Sequence, residues 1–391
     1  MTQHTGMDPE TFEQFIEQLD CYVRERLIPA EKDVIENDRL PDDILAEMKE
    51  MGLFGLTVPE EYGGAGLNTS QYARTVKCMS YAAPAFRSIF SINVGMFNSA
   101  IKNGATEAQK GEWWPRIAGG EIACFGLTEP GSGSDSAAMQ TFARPDPSGN
   151  GWILNGTKRY ITNAPHANVA LIMARTEKEA LPKNAHVSAF IVPMDTPGVS
   201  TGSPDKKMGQ AGAHISDIML DDVHVPGEAL LGGETGKGFI FAMKSLDNGR
   251  ISVGAASTGY ARRALDSALR YANERKAFGE PIANFQLIQQ MLAESETEIY
   301  AAEAMMADVT ARADAGENIL VKAAAFKVFA SEMCGRVVDR VVQIYGGAGY
   351  LAEYDAERFF RDARIYRIYE GTTQILQLQI AKHMLREWNA S

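Results

Sequence analysis

Apolar residues recur at helical spacing from the start of the chain. Phe12, Phe15, Ile16, Leu19, Val23 and Leu27 fall on one face of a helix over residues 9–37. Pro41 breaks that pattern at the first turn of a second helix, Asp42 to Met51, which Gly52 ends. A Gly- and Glu-rich loop over 58–68 surrounds Tyr62, and helical spacing resumes over 70–79, 85–102 and 107–117. The pattern changes at Gly120. Short alternating apolar runs, separated by turn residues, predict strands between Ile122 and Gly232. Residues 151–161 read as a hairpin with Asn155-Gly156 as its two-residue turn. Further strands read over 169–175, 186–192 and 215–223, and Pro226-Gly227 closes the region. Beyond Gly238, long amphipathic runs over 241–274, 284–315 and 319–343 predict an antiparallel bundle that also assembles with other copies. Glycines within 344–350 interrupt it, and Leu376, Ile380 and Met384 mark a last helix. The layout is α, then β, then α, with expected domains at 1–120, 121–232 and 233–391.

Composition narrows the class. Among 391 residues, 45% are hydrophobic and 23% charged, which suits a soluble protein with a large core. The formal net charge of −12 argues against nucleic acid or an anionic membrane as the main partner. No run approaches the ~20 apolar residues of a membrane span. Met1 to Gln14 contains acids and no apolar core, so it reads as neither a secretory nor a transit segment. A cytoplasmic protein is expected. Cys21, Cys78, Cys124 and Cys334 are far apart and form no C-x-x-C pair, and the six histidines lack metal-ligand spacing. Unpaired thiols and no metal site are expected.

Four stretches carry candidate chemistry. Phe125-Gly-Leu-Thr-Glu-Pro-Gly-Ser-Gly-Ser-Asp135 follows an apolar run and therefore lies at a strand end. Its small residues let backbone N–H groups turn toward one point. No helix follows and no third glycine is present, so it is not a dinucleotide fingerprint, and a solvent-facing turn fits it equally. Tyr160-Ile-Thr-Asn163 places an aromatic ring and a hydroxyl where they flank a flat heterocycle or pack an edge. Asn273-Glu-Arg-Lys-Ala-Phe-Gly279, with Gln286 beyond it, suits a pyrophosphate and a base, or a solvated helix end. Glu370, between Tyr369 and Gly371-Thr372, is a lone carboxylate ahead of a helix. The helix start favours its anion, whereas burial raises its pKa. The glycine clusters at 232–238 and 347–349 match neither a P-loop nor a Rossmann turn.

Five segments occur here in the order found in the acyl-CoA dehydrogenases, a family this chain resembles over essentially its whole length. They are Leu127-Thr-Glu-Pro-Gly-Ser-Gly-Ser-Asp135, Tyr160-Ile-Thr-Asn163, Glu274-Arg-Lys-Ala-Phe-Gly279, Gln343-Ile-Tyr-Gly-Gly-Ala-Gly349 and Ile368-Tyr-Glu-Gly-Thr372. The resemblance implies an α+β fold: a helical N-terminal domain, a central β-barrel-like domain and a C-terminal four-helix bundle. It implies bound FAD, a homotetramer built as a dimer of dimers, and electron-transferring flavoprotein as acceptor. Phe125, Leu127, Thr128, Gly133 and Ser134 match positions lining the flavin or the substrate beside it, and Tyr160 and Thr162 match positions on the isoalloxazine. Arg275, Phe278, Gln286, Gln343, Gly346 and Gly347 match what a neighbouring subunit offers to the dinucleotide, and Thr372 and Gln374 match further contacts to it.

The implied reaction is the α,β-dehydrogenation of an acyl-CoA to trans-2-enoyl-CoA, the chemistry of β-oxidation. Glu370 would remove the α-proton while flavin N5 takes the β-hydride. The Glu370 N–H and a ribityl hydroxyl would hold the thioester oxygen. The family's other base position falls on Gly249 here, which has no side chain. Asp247, Arg250, Tyr369 and Gly371 would line the substrate. Arg87 and Ser88 match a pair that glutaryl-CoA dehydrogenases place near the distal carboxylate, although the acid expected seven residues earlier is Ser80. A short- or medium-chain, or branched, monocarboxylic substrate is expected, with a dicarboxylyl-CoA as the alternative. A flavin oxidase or lyase-type relative and a non-catalytic assembly protein are the other readings of this fold.

Overall fold

The computed structural model describes residues 6–177 and 183–390, so the first five residues of the N-terminal stretch read above lie outside it. The chain begins with α1 (Pro9–Tyr22), which Asp8 caps by accepting from the Glu10 and Thr11 amides. One π-turn joins it to α2 (Ile28–Asn37), so the expected helix over 9–37 is continuous. Next come α3 (Asp42–Glu50) and α4 (Thr69–Met79), the latter started by a capping box of Asn68 and Gln71. A second π-turn links α5 (Pro84–Ile92) to α6 (Asn98–Gly104), and Thr106 with Gln109 caps α7 (Glu107–Ala118).

The middle of the chain forms one curled seven-stranded sheet. Its strands are β1 (Ala123–Gly126), β2 (Phe142–Pro145), β3 (Trp152–Thr162), β4 (Val169–Arg175), β5 (Val187–Pro193), β6 (Val199–Thr201) and β7 (Ile215–Val225). They run in the order β1-β4-β2-β3-β7-β6, with β5 also paired to β4. β1 and β4 are parallel, and β3 pairs antiparallel with β7 along its length.

The hairpin expected over 151–161 is absent. Asn155 and Gly156 lie inside the single long strand β3, where the register against β7 slips between Leu154 and Gly156. Gly156 has φ +147°, and a Cβ there would lie 2.7 Å from the Thr141 Cα. Asn155 thus stands opposite a bulge in β7 at Asp221 and Asp222, and the pair continues the strand rather than reversing it. Asn155 donates to the Asp222 carboxylate at 2.9 Å and accepts from the Asp222 amide at 2.9 Å. Those cross-strand bonds hold the Asn155 side chain to β7 rather than to a turn of its own.

The C-terminal third contains α8 (Gly238–Glu274), a small ribbon of β8 (Lys276–Ala277) and β9 (Glu280–Pro281), α9 (Gln286–Asp314) and α10 (Leu320–Tyr345). A short α11 (Asp355–Ala363), not read from the sequence, precedes α12 (Thr373–Ala390). The first helices and this bundle share one core, in which Phe54, Phe86, Tyr260, Phe326 and Tyr366 are fully buried. Burying one such ring contributes about 1.5–3 kcal/mol. A second core joins Phe97 and Trp113 to Phe125, Leu127 and Leu171, and so fixes the β-sheet against the N-terminal helices. No helix among the described residues is long and apolar enough to cross a membrane.

Candidate active site

Glu370 sits in the link between α11 and α12, where a single-turn helix (Arg364–Arg367) leads into an irregular stretch. Its φ is +55° and that of Gly371 is +94°, two consecutive residues in the left-handed region. The carboxylate lines a cavity of about 30 Å³. Three parts of the chain meet there: Arg87 and Ser88 from α5, Thr162 from the end of β3, and Gly249 and Ser252 from α8. Tyr369 completes the wall. Gly249 faces the Glu370 carboxylate directly, because a Cβ on it would stand 2.9 Å from Oε2.

Burial pushes the Glu370 carboxyl above its ordinary range, while Arg250, Lys327 and Arg87 pull in the opposite direction. Arg250 is held by Asp247 at 2.6 Å, one turn earlier on α8. Lys327, fully buried on α10, donates to the Gly371 carbonyl at 2.8 Å. Arg87 is also buried. Its Nη2 donates to the Tyr369 hydroxyl at 3.2 Å, and its Nε has no partner among the described residues. No carboxylate among those residues forms a salt bridge with it, although the Glu370 carboxylate is near enough to interact with its charge. A buried cation in that state is primed for an anionic or carbonyl group.

The loop after β1 is shaped by a buried ion pair. Lys158 of β3 meets Glu129 at 2.7 Å with both side chains out of water. Glu129 also accepts from the Gln140 and Thr141 amides, the latter at 3.0 Å. The Arg159 amide donates to the Thr128 carbonyl at 2.8 Å. Phe125 and Leu127 are thereby buried, while Gly133 and Ser134 face outward. Desolvation brings Lys158 down to about 8 despite its partner. Tyr160, with φ +58°, leaves 57% of its surface open, and the Arg159 guanidinium lies over its ring at 4.9 Å.

The remaining candidates lie away from this cavity. Arg275, Gln286, Gln343, Gly346, Gly347 and Gln374 are exposed, Thr372 is half-buried, and Phe278 is 98% exposed. An uncovered phenylalanine is unusual on a lone chain and suits a surface that another molecule covers. Along α12 only Thr373 and Leu376 are buried, which leaves Leu378, Met384, Leu385 and Trp388 open.

Sequence reading missed three residues. Lys158 shares the Leu154 face of β3 by the period-two rule, a signal hidden by treating 155–156 as a turn. Lys327 lies in the buried stripe Ala323, Lys327, Ala330, Cys334, whose spacing alone marks the inner face of α10. Asn163 donates to the Ile89 carbonyl at 2.9 Å and ties the end of β3 to α5.

Comparison with known proteins follows the same three parts. Family models described as the acyl-CoA dehydrogenase N-terminal, middle and C-terminal domains match residues 9–121, 124–223 and 236–385. The human mitochondrial short-chain specific acyl-CoA dehydrogenase is 37% identical over 98% of this chain and 92% of its own. Subunit CarC of the caffeyl-CoA reductase-Etf complex of Acetobacterium woodii is 39% identical over 91% of this chain and 93% of its own. An acyl-CoA dehydrogenase from Bacillus anthracis, solved in complex with FAD, superposes with a TM-score of 0.90 at 35% identity. That match covers 100% of this chain and 70% of the other.

Proposed function

Because the chain belongs to the acyl-CoA dehydrogenase family of oxidoreductases, we propose that it desaturates the Cα–Cβ bond of an acyl-CoA thioester, giving a trans-2-enoyl-CoA. The observation that carries this reading is the Glu370 carboxylate, buried and set against the bare Gly249 in a small cavity. An α-proton beside a thioester is weakly acidic, and a desolvated carboxylate with a raised pKa is suited to take it. The Glu370 amide is the chain's own donor for the thioester oxygen, where negative charge develops. Arg250 and Lys327 offset part of that rise in pKa and so favour the carboxylate form. Arg87, Ser88 and Tyr369 border the acyl end.

The residues present fit FAD. A Cβ on Gly133 would meet nothing within 4 Å, so the loop is open to a close ligand. Tyr160 presents a free ring face, and Thr162 links that strand to the Glu370 cavity. Phe125, Leu127, Thr128, Gly133, Ser134, Tyr160, Thr162, Thr372 and Gln374 would hold the group. Arg275, Phe278, Gln286, Gln343, Gly346 and Gly347 would hold its adenine part from a neighbouring subunit of a homotetramer. When bound, FAD supplies the acceptor for the β-hydrogen, taken as hydride at flavin N5, and an exit for electrons to electron-transferring flavoprotein.

The substrate is a short- or medium-chain, or branched, acyl-CoA, in keeping with the short-chain relative. A second reading, a dicarboxylyl-CoA, is favoured by one observation: the buried Arg87 lacks a carboxylate partner among the described residues. The test is an anaerobic titration of the FAD-loaded protein across a panel of acyl-CoA thioesters. Loss of flavin absorbance with one of them is expected. A protein that binds FAD and is bleached by none overturns the proposal.

A further inference from the structure

Lys327 touches none of the reacting atoms in the reaction outlined above, yet it lies in the first half of α10 with no exposed surface. Burying an ammonium is costly unless it is paired or hydrogen-bonded. Among the described residues its Nζ makes one bond in that place, 2.8 Å to the Gly371 carbonyl. The carbonyl so gripped lies one residue beyond Glu370, which is itself held at φ +55°. A non-glycine residue in the left-handed region is strained and persists only where its surroundings impose it.

The same helix holds both flanks of Glu370 and Gly371. Glu332 accepts from the Thr373 hydroxyl at 2.7 Å on one side and pairs with Arg367 at 2.5 Å on the other. Lys327 grips the chain between these two anchors. Its charge also acts on the carboxylate. The groups facing Glu370 are Lys327 from α10, Arg250 from α8, Arg87 from α5, Tyr72 from α4 and Tyr369 beside it. Of the three cations, Lys327 alone also bonds the backbone of the base's own segment.

We propose that Lys327 is a positioning residue for the reaction, pinning the Gly371 carbonyl so that Glu370 stays aimed into the cavity and ionised. This rests on Glu370 being the base. A neutral donor in the same place would hold the loop and leave the carboxyl easier to protonate. A cation does both. Desolvation has already brought Lys327 down to about 8, so its charge fades above that pH.

The test separates proton removal from redox chemistry. The FAD-loaded protein is incubated with acetyl-CoA in deuterated buffer across pH 5–9. Exchange of the α-hydrogens is followed by NMR, because acetyl-CoA has no β-hydrogen to lose. Lys327→Met is expected to slow exchange at neutral pH at least about tenfold and to move its acid limb upward by about one pH unit. Lys327→Arg is expected to restore most of both, and Lys327→Gln to restore the rate in part but not the limb. Flavin content and melting temperature confirm the fold. If Lys327→Met does not fold, Lys327→Gln decides by the position of its acid limb. An unmoved limb in a folded, FAD-loaded variant overturns the proposal, even where the rate falls. If Glu370→Gln exchanges at the wild-type rate, the assignment of the base has failed instead.

Discussion

Gly249 and Glu370 occupy one space: a methyl group on the glycine would lie 2.9 Å from the carboxylate oxygen and 3.1 Å from Cδ. Something must shift on substitution, and the free end of Glu370 is what gives. Alanine in mid-helix is favoured over glycine by about 0.5–1 kcal/mol. Gly249→Ala is therefore expected to melt no lower than wild type. Its turnover should fall by roughly tenfold to a hundredfold, because the base is displaced by a fraction of the distance that matters. Steady-state kinetics beside a thermal melt check this, and full activity would mean that the carboxylate is not where the reaction needs it.

Glu370→Gln is expected to retain FAD and ligand while losing about 10²–10⁴-fold in flavin reduction. In the wild type, kcat/KM should fall on the acid side with an apparent pKa above the ordinary 4.5 of glutamate. The same shift has a stability consequence. A carboxyl whose folded pKa is raised contributes stability below its unfolded pKa and loses it as pH rises through the folded value. At pH 7.5 Glu370 is therefore a net cost, so Glu370→Gln should melt at or above wild type, with the gap closing toward pH 4.5. A variant markedly less stable at pH 7.5 would contradict that sign.

Arg87 separates the two substrate readings. If it clamps a distal carboxylate, Arg87→Met should lower the kcat/KM ratio of glutaryl-CoA to hexanoyl-CoA by about tenfold to a hundredfold, the worth of a charge-assisted hydrogen bond. An unchanged ratio leaves Arg87 as support for Tyr369, which it already contacts at 3.2 Å.

Glu129→Gln would strand Lys158 inside the sheet. Breaking a buried pair from one side costs about 3–5 kcal/mol. Lys158 already titrates near 8, below the usual 10.5. A lysine with a lowered folded pKa adds stability as pH rises between the folded and unfolded values, because the unfolded chain holds more protons there. The deficit of Glu129→Gln should therefore shrink on going from pH 7 to pH 10, and FAD affinity should drop with the loop. Chemical denaturation at several pH values measures the first and flavin release the second. A deficit that does not change with pH would show that Lys158 is not the stranded charge.

Much of this molecule is legible in one dimension. The helical faces of 9–37, 70–79 and 241–274 depend on spacing that each segment carries within itself, and the observed helices follow it closely. Glu370 stood out because an acid preceded a Gly-Thr-Thr turn and the alternative position was a bare glycine. The Asn155-Gly156 turn failed because its preference is local, while the continuing strand is imposed by pairing with β7 and by Thr141 packed against Gly156. Lys158 and Lys327 escaped notice for a related reason. A lysine in a periodic segment reads as solvated, and only the fold supplies the Glu129 carboxylate and the Gly371 carbonyl that make its burial tolerable. The sequence by itself carried the periodic helices, and its resemblance to the family pointed to Glu370. Tertiary structure alone brought Arg87, Thr162, Gly249 and Glu370 to one cavity, because residues up to 283 positions apart meet only through packing of the whole chain.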